Sequence, residues 1–146
     1  MDPDRRQLLA QLDEEFFLFL WRVKESTARL FKPLGLRPEQ VFILELIDRG
    51  LHHPKEIADA LQWDPPLLSH YLAKLEERRL IERELDPDDR RRTRITLSAS
   101  GARQLERARA AWRDYTAETL EVLDPGEIET LRGYLRRLLA AQEARA

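Results

Sequence analysis

Apolar positions in the first third of the chain follow helical spacing. Leu8, Leu12, Phe16, Phe19, Val23 and Leu30 predict a long first helix, opened by Asp2 and Pro3 and closed before Pro33 and Gly35. Leu9, Phe17, Leu20 and Trp21 widen its apolar surface beyond what one core contact needs, so a second packing partner is expected. Pro38 starts a second helix in which Val41, Phe42, Ile43, Leu44, Leu46 and Ile47 are apolar nearly all round, the pattern of a buried element ending at Gly50. Pro54 opens a short third helix with Ile57, Ala58 and Leu61 facing inward. Asp64 and Pro65 supply a new cap and first turn only a few residues later. In the fourth helix Leu68, Leu72 and Leu75 make the inner stripe, with Leu67 and Tyr71 beside it, while Ser69, His70, Ala73 and Lys74 fall on the opposite side.

Past Leu80 the period changes from helical to alternating. "LIERELD" and "TRITL" predict two short strands joined by a charged tip. Ser98 caps a further helix whose stripe runs through Leu105, Ala108, Trp112 and Tyr115 toward Leu120 and Leu123. Asp124, Pro125 and Glu127 open a last one, with Ile128, Leu131, Leu135 and Leu138 along its apolar side. No internal repeat, low-complexity tract or flexible linker interrupts this order. The fold class predicted is mainly α with a small β-hairpin wing: a winged helix-turn-helix flanked by terminal helices. Spacing alone leaves open a small helical domain that uses the tight turn for packing.

Composition narrows the partners. The chain has 146 residues, 36% of them charged, but a formal net charge of only -2, so it does not coat nucleic acid or an anionic membrane by bulk charge. Anion binding has to be local, and one stretch supplies it: Arg90, Arg91, Arg92 and Arg94, directly preceded by Asp86, Asp88 and Asp89. By itself that stretch also suits a solvated turn whose charges neutralise one another. With no cysteine, disulfides, thiolate metal ligands and thiol redox chemistry are excluded. "MDPDRRQLL" lacks a signal-peptide pattern and no apolar run approaches the ~18 residues of a membrane span, so a cytoplasmic protein with no membrane partner is expected. No nucleophile elbow, phosphate loop or zinc-protease signature is present, so neither an enzyme nor a cofactor is expected. Adjacent residues rarely point at one ion, so His52 and His53 are taken as a helix lead-in and not as a metal site.

The segment "LQWDPPLLSHYLAKLEERRLIERELDPDDRRRTRITLSASG" resembles the core of the MarR family of bacterial transcription regulators. Leu75, Glu76, Leu80, Ile81 and Arg83 match the end of that family's recognition helix and its following strand. Asp89 and Arg91 match its Asp-x-Arg wing motif; Leu97, Ser98 and Gly101 match its Leu-Thr-x-x-Gly helix opening. Upstream, "LRPEQVFILELI" is similar to the family's second helix, so the strong resemblance covers residues 36 to 101. Three positions depart from the pattern: Leu67 where Thr or Ser is common, His70 where Arg is common, and Arg79 in place of the usual Gly at the helix exit.

The resemblance implies a DNA-binding lobe over residues 36–98, with residues 1–35 and 99–146 forming a helical dimerisation region. It implies a homodimer on double-stranded DNA, acting as a repressor at a pseudo-palindromic operator. In that setting Arg91 enters or follows the minor groove, held by Asp89, while Arg90, Arg92 and Arg94 contact phosphate. Pro66, Ser69, His70, Ala73 and Lys74 then form the groove-facing side of the recognition helix. A small aromatic effector is a further implication, with Phe17, Trp21 and Trp112 as its candidate contacts. The contrasting reading is a helical dimer that offers the wing to another protein and has no operator.

Overall fold

The computed structural model describes residues 2–145. Its helices are α1 (Pro3–Phe31), α2 (Pro38–Asp48), α3 (Pro54–Leu61), α4 (Pro65–Glu77), α5 (Ala99–Thr119) and α6 (Pro125–Glu143), with a 3-10 turn at Lys32–Leu34 after α1. Between α4 and α5 lies an antiparallel hairpin of β1 (Ile81–Leu85) and β2 (Thr93–Leu97), in which Arg83 faces Ile95 and Glu84 faces Arg94. The chain divides into two compact units, Met1–Ala111 and Trp112–Ala146.

The core of the first unit is aliphatic. Ile43, Leu44 and Ile47 from α2, Ile57 from α3, Leu68, Leu72 and Leu75 from α4, Ile95 from β2 and Leu105 from α5 are buried together. The inward stripe predicted for α4 is the one observed. Helix α2 departs from expectation on one side: Phe42 is 56% exposed, so the element is not covered all round in the single chain. Opposite charges tie α5 to α2, because Arg109 donates to Glu45, Asp48 and Glu106. That guanidinium is the main reason the Glu45 carboxyl sits below its usual pKa, against a smaller opposing effect of burial.

Two sets of apolar side chains stay outside this core. On α1, Leu8, Leu12, Phe16, Phe17, Phe19, Leu20 and Trp21 are exposed. In the second unit, α6 exposes Tyr134, Leu135, Leu138 and Leu139. Helix α6 begins as expected, with the Asp124 carboxylate accepting from the Gly126 and Glu127 amides while Glu127 accepts from Asp124 N–H. Among the described residues no helix is long and apolar enough to cross a membrane.

Candidate nucleic-acid interface

Burial of Leu68, Leu72 and Leu75 fixes which side of α4 faces water. Pro66, Ser69, His70, Ala73 and Lys74 are all exposed on that side. Helical spacing carries the face on from Pro66, His70 and Ala73 to exposed Glu77, whose charge opposes phosphate at the far end. The part of this face without an opposing charge is therefore the first turns of α4. Leu67, at the edge of this face, is 43% exposed.

Asp64 occupies the N-cap of α4, but its side chain caps nothing. The sequence explains this: Pro65 and Pro66 fill the first two helical positions and have no N–H to donate. The Leu67 and Leu68 amides are bonded to the Asp64 carbonyl. The usual anion-binding donors of a helix N-terminus are thus missing or used, which leaves side chains as the donors at this end of α4.

The exit of α4 links the helix to the wing and to α5. Arg79 adopts φ +56°, the left-handed conformation that glycine accommodates more readily. Its amide donates to the Glu76 carbonyl and that of Leu80 to the Leu75 carbonyl, closing the helix end. The helix thus takes the glycine-type exit with an arginine. Ser98 Oγ then donates to the Arg79 carbonyl at 2.6 Å and accepts from Gly101 N at 2.9 Å. A Cβ on Gly101 would lie 1.9 Å from the Leu80 carbonyl oxygen, so close backbone approach demands glycine there. These contacts give the Leu97–Gly101 motif a physical role: it packs the start of α5 onto the end of α4.

The wing turn is built around Asp86, which is only 6% exposed. Its Oδ1 accepts from Asp88 N at 2.8 Å and Asp89 N at 3.4 Å, while Asp86 N donates to the Arg92 carbonyl. The Asp88 amide is the leading cause holding the Asp86 carboxyl below its usual pKa; burial opposes it, and the Asp89 amide and the charges of His53 and Arg92 reinforce it. The expectation that Asp89 holds the Arg91 guanidinium is corrected in detail. Asp89 Oδ1 accepts the Arg91 backbone N–H at 3.0 Å, so the acid shapes the turn from which the side chain projects. Among the described residues, the guanidiniums of Arg90, Arg91 and Arg94 have no carboxylate within salt-bridge distance. Arg92 differs, reaching Glu56 of α3 at 3.6 Å. Arg94 stands within β2, and Arg90 and Arg91 in the turn itself.

Three positioning residues escaped the sequence pattern. His52 ring Nδ1 bonds the Ile95 carbonyl at 2.9 Å and its own carbonyl accepts from Ile95 N at 2.7 Å, so it ties the segment before α3 to β2. His53 Nδ1 lies 3.1 Å from the Thr93 carbonyl, and its Nε2 lies 3.1 Å from Asp86 Oδ2. Arg78, at the end of α4, donates to the Gly35 and Leu34 carbonyls. The available signal was that His53 occupies the N-cap of α3, where Ser, Thr or Asp would bond the helix, and makes no such bond. Both histidines are occupied by the wing, and no group of three or more metal-ligating side chains occurs among the described residues.

The aromatic candidates divide between the compact units. Phe17 and Trp21 are exposed on α1 in the first, with Lys24 Nζ lying 5.9 Å from the Trp21 ring centroid. Trp112 belongs to the second, where it borders an open cavity of about 520 Å³ with Thr116, Leu120, Leu123 and Ile128.

Known proteins share this arrangement. Residues 34–92 match the model of the MarR family. An uncharacterised HTH-type transcriptional regulator of Mycobacterium bovis is 30% identical over 95 residues, 65% of this chain and 66% of that protein. A solved probable transcriptional regulator from Pseudomonas aeruginosa is 32% identical, with a TM-score of 0.69 over 87% of this chain and 98% of the other. A MepR variant from S. aureus, solved bound to an oligodeoxyribonucleotide, is 25% identical with a TM-score of 0.64, covering 90% of this chain and 97% of that one. The order of helices around the hairpin, the Asp89-to-Gly101 register and these likenesses agree: the chain belongs to the MarR family of winged-helix transcriptional regulators, not to a family of enzymes.

Proposed function

We propose that this regulator binds double-stranded DNA as a homodimer and represses transcription by occupying a pseudo-palindromic operator. The observation that carries the reading is the exposed α4 face beside a wing whose Arg90 and Arg91 guanidiniums are unpaired among the described residues. Pro66, Ser69, His70, Ala73 and Lys74 meet the major groove. Arg91 enters the minor groove, where negative potential concentrates, while Arg90 and Arg94 contact phosphate. Arg92 exchanges part of its Glu56 contact for phosphate. The DNA-binding lobe comprises residues 36–98, and the helices on either side pair the subunits.

Dimerisation is supported by the apolar rows on α1 and α6 that remain exposed in one chain. A two-fold dimer places two α4 helices on half-sites about one helical turn, ~10 bp, apart or a multiple of it. A small aromatic effector completes the proposal, with Phe17 and Trp21 in the first unit and Trp112 in the second each a separate candidate contact; it favours a dimer spacing that no longer fits successive grooves. Quenching of Trp21 or Trp112 fluorescence by candidate aromatics tests that part.

Sequencing of random duplexes selected by the purified protein tests the main reading. An enriched two-fold motif with steep salt dependence is expected. No enriched motif and salt-independent binding would transfer the wing to protein docking.

A further inference from the structure

The adjacent histidines have a role beyond the α3 boundary. His53 is the N-cap residue of α3, yet its ring turns away from the helix amides toward the wing. Nδ1 faces the Thr93 carbonyl and Nε2 faces Asp86 Oδ2, each at 3.1 Å. The side chains of this pair are 14% and 8% exposed, so water competes little for either contact. A carbonyl oxygen and a carboxylate oxygen can only accept. Donation to both requires two ring N–H groups, which imidazolium has and neutral imidazole lacks.

We propose that His53 is a positioning residue whose cation latches the wing to α3, making wing order, and through it DNA affinity, fall as the imidazole loses its proton. The DNA part rests on the function proposed above; the latch does not. The groups around the contact support the direction. Asp86 faces the ring from the wing turn, and Arg92 lies beyond it and pairs with Glu56 of α3. On the β2 side the neighbours are the Thr93 carbonyl and His52, itself bonded to Ile95. Among the described residues Asp86 is the one carboxylate directly on the ring, and its Oδ1 is committed to the Asp88 and Asp89 amides that form the turn.

Loss of the His53 proton leaves one ring nitrogen lone pair facing an oxygen lone pair, so one contact opens. The turn then loses its His53 anchor to α3, keeps only the Arg92–Glu56 contact, and its internal bonds to the Asp86 and Asp89 carboxylates open more readily. Asp86 sets the opposite limit. Its carboxyl is held below the ordinary value chiefly by the Asp88 amide. Its contribution is therefore present above the unfolded-state carboxylate pKa and lost as pH falls through the lower folded value. The latch is complete when the Asp86 carboxylate is ionised and both His53 ring nitrogens carry protons.

Hydrogen exchange of the Asp88, Asp89 and Arg91 amides in the free protein, corrected for intrinsic rates, tests the latch across the histidine range of about pH 5 to 8. In the native chain protection falls by about tenfold as pH rises, the scale of one charge-assisted bond. His53→Gln, which cannot titrate there, gives a flat profile. Asp86→Asn reverses the slope: the introduced amide keeps an acceptor for the Asp88 N–H and donates to Nε2 of the neutral ring, so protection rises with pH. A residue with only a packing role would not produce that reversal. Parallel profiles in the three proteins overturn the latch, as do ring ¹⁵N shifts of a singly protonated His53 while the wing is protected. Affinity for a selected duplex, measured over the same range, then follows the protection profile; affinity that ignores it overturns the DNA part. Intact latch profiles without any DNA binding would refute the regulator reading and leave the latch standing.

Discussion

The recognition helix and the wing are positioned by different physics. Helix α4 is held by Leu68, Leu72 and Leu75, buried among aliphatic neighbours. The wing has one buried strand residue on each side, Ile81 and Ile95, and its tip is placed by polar contacts: Asp86 to the turn amides, His53 to Asp86 and Thr93, and Arg92 to Glu56. Apolar burial responds weakly to pH and salt, whereas charged contacts respond to both. In the proposed function the helix is thus a fixed reader and the wing a condition-sensitive one. The distinction matters because, under that proposal, both engage the same duplex.

The largest effect should come from the fixed side. Leu72→Ala removes a fully buried side chain and is expected to cost about 2–5 kcal/mol in urea unfolding, with little selective change at the wing. A loss confined to wing order would break the comparison. Gly101→Ala places a methyl against the Leu80 carbonyl, so a stability loss of roughly 1–3 kcal/mol or more is expected from the same measurement. An unchanged unfolding midpoint would show that α5 can shift away from the end of α4.

On the wing the effects belong to binding. Arg91→Ala should weaken operator binding by about 1–3 kcal/mol while sedimentation shows an unchanged dimer. Arg90→Ala should lower the slope of log affinity against log salt by about 0.9, as loss of one phosphate contact does; Arg92→Ala should lower it less, because Glu56 already neutralises part of its charge. Equal slopes for the two variants would remove Glu56 from the account. The smallest change is expected at the helix exit. Arg79→Gly relieves a left-handed arginine but adds freedom to the unfolded chain, for a net gain of about 0.5–1 kcal/mol in unfolding free energy.

Elements whose signals are local were legible in the sequence. First-turn prolines, the Asp124 capping box, the Ser98 cap and the change from helical to alternating period each act within a few residues, and the helices and strands follow them. The exposed face of α4 was legible for the same reason. Long-range contacts were not. His52 and His53 meet β2 across 43 and 40 residues, and Arg78 reaches Gly35 across 43, separations at which periodicity carries no information. Even local signals failed where two rules met: Asp64 had the identity of a cap, but Pro66 removed its donor. Asp89 was linked to the correct residue, Arg91, but to its backbone amide and not its guanidinium. Phe42 lay in an all-apolar run, yet its own core leaves more than half of it exposed.

Dimethyl sulfate footprinting on a selected operator tests the division of labour most directly, since the reagent marks guanine N7 in the major groove and adenine N3 in the minor groove. The native protein should protect guanine N7 where α4 lies and adenine N3 in the flanking minor groove. With Arg91→Ala, adenine N3 should become reactive while guanine N7 stays protected at saturating protein. Adenine N3 that is equally reactive with and without the native protein, or equally protected by the variant, would contradict a wing that reads the minor groove beside a helix that reads the major.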